Sequence, residues 1–351
     1  MMVTSERSFE RGLVIGAFLP PRADHHSLIR DIESRCAHLT IAVSDLPGQL
    51  PETHDRASWV QAIHMDADVV VLPDNCAWHG AAPCVDTCAS AWAEQLALLG
   101  SPSFDLIVTS EPYGPALADE VGAEHLHAPS LGDDCLGDDL AGRWHELDPV
   151  VRAGMFRRLC VIGSESTGTT TLTREVAARV KAPSTYEAGR VMSWSLAARV
   201  GGIEKIEWTE LDFYRILEEQ RRVEADAAAR AVDRPVGPFG PWLVCDTDAL
   251  ATVVWWERYL ETSSEPALRF AEARLAEAYV ITSPHEVDFR QDGVRDGEHV
   301  RYAMHSRFVE LAAASGQPYL VVSGDQESRV ETVVEWLASI ESALPRFATG
   351  Y

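Results

Sequence analysis

Gly163, Ser164, Glu165, Ser166, Thr167, Gly168, Thr169, Thr170 and Thr171 keep the spacing of a loop that cradles phosphate: a glycine, four residues, a second glycine, and a hydroxyl two positions later. The glycines let the chain turn tightly, so that successive backbone N–H groups point at phosphate oxygens, and a following helix adds positive potential at its N-terminus. An apolar run at 158–162 stands before the loop and a helical pattern at 172–180 after it, the strand–loop–helix setting such a loop needs. Thr170 falls where a hydroxyl holds magnesium. The lysine that normally completes the loop is replaced by Thr169, which can donate a hydrogen bond but cannot neutralise β- and γ-phosphate charge. The only lysines are Lys181 and Lys205, so the missing cation is expected from arginine, whose planar fork matches phosphate geometry.

Further groups supply the rest of a phosphoryl-transfer site. The apolar run 242–245 ends in Asp246, Thr247 and Asp248, carboxylates at a strand end where magnesium or an acceptor hydroxyl is held. Asp246 is the expected magnesium ligand or general base; Asp248 could exchange roles with it, and the spacing does not decide. Glu187 and Arg190, close to where another strand should end, would face the same cleft and suit a polar substrate such as a ribose. Arg290 and Arg295 flank a glycine on a charged loop followed by Arg301, an arrangement able to close over ATP, with Arg295 against the transferring phosphoryl group. Separately, Cys76, His79, Cys84 and Cys88 place four thiol or imidazole groups within thirteen residues, but the spacing fits no common zinc pattern, and buried reduced cysteines are the ordinary alternative.

Two series of alternating apolar runs and helical patterns must position these groups. Strands are expected at 13–18, 39–43, 69–72 and 106–108, with helices at 27–36, 58–65 and 89–99. The glycine- and aspartate-rich stretch 132–142 reads as a linker. Beyond it, strands are expected at 159–162, 242–245, 279–282 and 319–322, and helices at 208–232, 265–278, 302–314 and 327–344. The fold class is α/β, with two doubly wound parallel-sheet domains at 1–150 and 151–351. A length of 351 residues gives each domain enough chain for its own core.

The formal net charge of −24 excludes nucleic acid and anionic membrane surfaces as partners, because no basic stripe replaces phosphate counterions. No apolar run approaches the roughly 20 residues that span a bilayer, and residues 1–11 are polar, so a cytoplasmic protein is expected. Seven scattered cysteines fit reduced thiols rather than a disulfide framework. Assembly into a homo-oligomer is left open.

In this order, the loop 163–170, the segment 186–190, the strand end 246–248 and the Asp-Gly-Val-Arg of 292–295 resemble the NadR-type family, which joins a nicotinamide-nucleotide adenylyltransferase domain to a ribosylnicotinamide kinase domain. The resemblance covers most of the chain. It implies a P-loop kinase domain that uses ATP and Mg2+ to phosphorylate nicotinamide riboside, with Trp255 or Trp256 stacking on the base.

The same resemblance gives the amino-terminal half a Rossmann-type nucleotidyltransferase fold. Its signature places a glycine–any–phenylalanine–any–proline turn before a histidine–any–glycine–histidine set. Here Gly16, Phe18 and Pro20 are kept, but Arg22 stands for the first histidine and Asp24 for the glycine, leaving His25 alone. Asp24 would repel a triphosphate. The family's second phosphate motif should fall at 132–137, where two aspartates have entered and no arginine remains. Arg22 and Arg143 are the residues left to compensate, while 109–114 keeps the family's strand-end segment. The fold is therefore expected to persist while adenylyl transfer does not. The ten or so residues before the first strand are too few for a helix-turn-helix module, so operator binding is not expected.

Overall fold

The structure, a computed structural model, describes residues 8–45, 48–74, 85–100, 103–131, 139–285, 287–289 and 298–341. The chain divides into two compact units, one reaching Gly154 and the other starting at Met155.

The first unit alternates β1 (Phe9–Gly16), α1 (Ala23–Arg35), β2 (Cys36–Asp45), α2 (Thr53–Ile63), β3 (Asp68–Pro73), α3 (Val85–Leu98), β4 (Leu106–Thr109), α4 (Gly114–Val121) and β5 (Glu124–His127), followed by α5 (Leu140–Arg143) and α6 (Pro149–Gly154). Its five strands are parallel, in the order β3-β2-β1-β4-β5. The central strand is buried on both faces, which is why residues 13–15 read as a continuous apolar run rather than an alternating one. Leu13 and Ile15 pack with Trp92 and Leu117 on one side; Val14 packs with Ile29, Ile32 and Val60 on the other. β1 ends at Gly16, two residues before the expected limit, because Phe18 takes a left-handed φ of +54° and starts the turn.

A chain of buried imidazoles crosses this unit. His64 Nδ1 lies 2.9 Å from Glu33 Oε1, and His26 Nδ1 lies 3.0 Å from His64 Nε2. The carboxylate can only accept, so His64 donates through Nδ1, accepts from His26 at Nε2, and leaves His26 Nε2 bare in the interior. Burial, first of all, pushes the His25 and His26 pKa values down to about 4. The unfolded chain takes up these protons near pH 6.5 and the folded one only near 4. Their contribution to stability is thus complete above pH 6.5 and lost as pH falls towards 4, at about 3 kcal/mol per histidine. Unfolding of the first unit in denaturant, followed from pH 7.5 to 4.5, is expected to show this decline, and His26→Gln to flatten it.

The second unit holds β6 (Arg157–Gly163), α7 (Thr169–Val180), α8 (Ala188–Val200), α9 (Glu210–Ala231), β7 (Trp242–Asp246), α10 (Ala249–Leu260), α11 (Glu265–Glu272), β8 (Ala278–Thr282), α12 (Arg301–Ala314), β9 (Tyr319–Val322) and α13 (Gln326–Glu341). Four parallel strands run in the order β7-β6-β8-β9, and a bridge from Ser184 to Val244 extends the β7 edge. Along β6 the side chains alternate. Leu159 and Val161 meet Val176 of α7 and Val330 and Val333 of α13; Cys160 and Ile162 meet Phe213, Val253 and Phe308 of α9, α10 and α12. The register pairs Val161 with Asp246 and Gly163 with Thr282, so three strand ends open at one edge of the sheet. That edge is where ligands bind in open α/β sheets. The helix expected at 265–278 is shorter, ending at Glu272, and α8 and α10 were not foreseen at all. Among the described residues no helix is long and apolar enough to cross a membrane.

Candidate active site

Beyond Gly163 the chain turns over the end of β6 with Ser166 at φ +61° and Gly168 at φ +86°. Only glycine fits at 163: an added Cβ would collide with Thr282 Oγ1 and come within 2.8 Å of Thr167 Oγ1. Thr167 itself turns inward, its hydroxyl bonded to Ser164 O at 2.7 Å and paired with Thr282 Oγ1 at 2.6 Å. Gly168 is the N-cap of α7 and offers no side chain to its first N–H groups. Those groups remain for a ligand, at the positive end of the helix.

The remaining loop residues, Gly163 to Ser166 and Gly168 to Thr171, line a cleft that is open to solvent. Asp246 enters it from the end of β7 and is almost fully buried. Burial is the main influence on its carboxyl and raises the pKa; hydrogen bonds from the Thr170 and Thr169 hydroxyls, and the charges of Arg190 and Arg174, oppose it. The threonine in the lysine's place therefore faces Asp246. A buried carboxylate beside the Thr170 hydroxyl forms an all-oxygen donor set, of the hardness magnesium requires.

Asp248 does not share the site. Its side chain caps α10, accepting from Ala251 N–H at 2.9 Å and from the Tyr279 hydroxyl at 2.8 Å, and it is 1% exposed and outside the cleft lining. Thr247, at φ +73°, reverses the chain between the two aspartates and sends their side chains to different places. The expected interchange of roles is thus corrected: Asp248 is a structural cap. Asp248→Ala should lower stability by about 2–4 kcal/mol through the lost cap and the buried hydroxyl left unpaired. Turnover per folded molecule should stay within about threefold; thermal unfolding beside kcat checks this.

Glu187, Gly189, Arg190 and Ser193 line the opposite wall, at the start of α8. Gln220, which the sequence did not single out, holds that wall to the turn after β7. It is 1% exposed, accepts from Ala188 N–H at 3.0 Å and donates to Thr247 O at 3.4 Å. An aromatic recess completes the cleft: Trp208, Phe213, Trp255 and Tyr259, with Trp255 and Tyr259 stacked at 6.2 Å and 20°. Of the two tryptophans expected to stack on the base, Trp256 is instead buried against Phe213 and Tyr214 and does not reach the cleft, which corrects its place among the substrate residues. On α10, residues 255 and 259 share one face, while 256 is rotated by about 100° into the core.

Arg301 lies beside the loop rather than in the cleft lining, its guanidinium donating to Val287 O at 3.2 Å and to Ser166 O at 3.5 Å. Arg290 and Arg295 lie outside the described residues, as do Cys76, His79 and Cys84. Cys88 is buried on α3 and disulfide-bonded, which corrects the expectation of reduced thiols at that position; Cys36, Cys160 and Cys245 are buried thiols. No group of three or more histidine, cysteine or acidic side chains among the described residues could hold a metal ion.

In the first unit, Phe18 packs edge-on to His25 at 5.4 Å, and the turn between Gly16 and α1 ends in a capping box in which Arg22 N–H donates to His25 Nδ1 at 3.1 Å. The Arg22 guanidinium is paired with Asp24 at 3.2 Å, and Arg143 with Glu146 at 2.9 Å.

Residues 158–329 match a family model described as an AAA domain. No curated protein matches the chain. A NadR protein crystallised in complex with NR superposes with a TM-score of 0.65 at 17% identity, covering 96% of this chain and 97% of that one. A NadR protein in complex with NAD and AMP-PNP gives a TM-score of 0.64 at 17% identity, covering 94% and 96%. The chain therefore has the fold of NadR proteins along nearly its whole length, two parallel-sheet α/β units in series.

Proposed function

We propose that the second unit transfers the γ-phosphoryl group of ATP to the 5′-hydroxyl of nicotinamide riboside, giving nicotinamide mononucleotide and ADP, and that the first unit keeps a nucleotidyltransferase fold without its chemistry. One observation carries the reading: the phosphate loop, the buried Asp246 and an aromatic recess with Glu187 and Arg190 meet in a single cleft. The fold shared with a NadR protein bound to NR, and with one bound to NAD and AMP-PNP, supports it.

In this reading the N–H groups at the start of α7 bind the β- and γ-phosphates, Glu187 and Arg190 orient the ribose, and Trp255 with Tyr259 receives the pyridine ring. Thr170 and Asp246 would hold Mg2+, which when bound neutralises charge between the β- and γ-phosphates. In the alternative to that ligand role, the Asp246 carboxylate is the general base that takes up the 5′-hydroxyl proton as the new O–P bond forms and the bond to the ADP oxygen breaks. In the first unit both arginines left to replace the missing phosphate contacts are engaged by neighbouring carboxylates, which favours a silent domain. The acidic charge fits a cytoplasmic protein acting on small molecules.

Transfer of label from γ-labelled ATP to nicotinamide riboside tests the reading, and label confined to ATP and free phosphate overturns it. Replacing Trp255 by Ala should raise KM for nicotinamide riboside about tenfold and leave KM for ATP unchanged, since a stacked ring contributes roughly 1–1.5 kcal/mol. Equal KM values in the two proteins would remove the aromatic wall from recognition.

A further inference from the structure

The missing cation has a candidate that the loop's own sequence does not contain. Arg329 stands in the first turns of α13, more than 150 residues along the chain, yet its Nη1 donates to Thr167 O at 2.8 Å, behind the phosphate loop. It is 3% exposed, and its Nε and Nη2 have no hydrogen-bond partner among the described residues. It does not line the cleft. Of the other buried arginines, Arg22 and Arg157 are matched by carboxylates, while Arg56 and Arg301 are held by backbone carbonyls; Arg329 has one carbonyl, no ion pair among the described residues, and only the more distant charge of Asp325. An unpaired guanidinium in the interior is costly unless an anion lies nearby when the protein works. Nη1 comes within 3.8 Å of where a Cβ would stand on Gly168, the residue that opens α7.

The geometry of the peptide bond gives this contact a direction. Carbonyl and N–H of a trans peptide point opposite ways, so a guanidinium holding the Thr167 carbonyl behind the loop turns the Gly168 N–H towards the cleft. A charge on the carbonyl side also polarises that peptide and strengthens its N–H as a donor. We infer that Arg329 is a positioning residue for ATP: from behind the loop it orients the Gly168 N–H towards the triphosphate and supplies the positive potential that Thr169, in place of lysine, does not. The inference rests on the nucleotide-binding reading of the cleft.

Calorimetric titration of ATP into the full-length protein tests it, with nicotinamide riboside titrated in parallel and thermal unfolding recorded for each variant. Arg329→Gln should weaken ATP binding by about tenfold or more, the scale of a lost charged hydrogen bond, and leave nicotinamide riboside binding unchanged. Arg329→Lys, which keeps the charge and loses the fork, should retain more affinity than Arg329→Gln. Introducing Thr169→Lys into Arg329→Gln should recover most of the loss, because the charge returns at the position where phosphate loops usually carry it. Unchanged ATP affinity in Arg329→Gln overturns the inference. So does equal loss in the Gln and Lys variants, or loss of nicotinamide riboside binding in parallel. A wild-type protein that binds nicotinamide riboside but not ATP overturns the nucleotide reading and the inference with it.

Discussion

Asp246→Asn is expected to reduce phosphoryl transfer by at least ~10³-fold while leaving the melting temperature close to that of the wild type. The substitution is nearly isosteric, and the contacts that fix the end of β7 are made by its backbone, paired with Val161. What changes is the charge. The amide no longer accepts a proton from the 5′-hydroxyl and is a poor ligand for a hard cation, while the Thr169 and Thr170 hydroxyls still find an acceptor. Binding of ATP without magnesium should persist, and may be titrated to show that the loop is intact. Turnover within tenfold of wild type would remove Asp246 from the chemistry.

The second large effect is expected at Gly163. Its added Cβ has nowhere to go, because Thr282 Oγ1 and Thr167 Oγ1 fill the space and both hydroxyls hold the loop's inner turn. Gly163→Ala should displace the loop from the end of β6 and weaken ATP binding by about 100-fold, the cost of losing oriented N–H donors to an anion. Combining it with Thr282→Ala removes the colliding atom, so the double variant should bind ATP better than Gly163→Ala alone, a non-additivity confined to neighbours. A single variant that binds like the wild type would show that the loop is not held against β8.

Most strands of both units were legible because buried parallel strands are written as unbroken apolar runs, 13–15 and 159–162 among them. α8 was not, since among its residues only Ala188 is buried, and Val191 and Trp194 lie exposed; no apolar stripe marks it. The phosphate loop was readable from spacing. The division of labour between Asp246 and Asp248 was not, because it depends on a left-handed Thr247 that no glycine announces. Trp255 and Trp256 differ only in helical phase, which becomes decisive once Tyr259 is placed four residues on. Gln220 and Arg329 carried no local signal at all: each meets the site through the fold, to Ala188 and Thr247 in one case and to Thr167 in the other.

The central claim is tested most directly by chromatography of the products formed by the purified full-length protein with ATP and magnesium, with nicotinamide riboside in one reaction and nicotinamide mononucleotide in the other. The account predicts mononucleotide and ADP from the first and no NAD from the second. NAD in the second reaction would contradict the silence assigned to the first unit, and an unchanged nucleoside in the first would contradict the kinase itself.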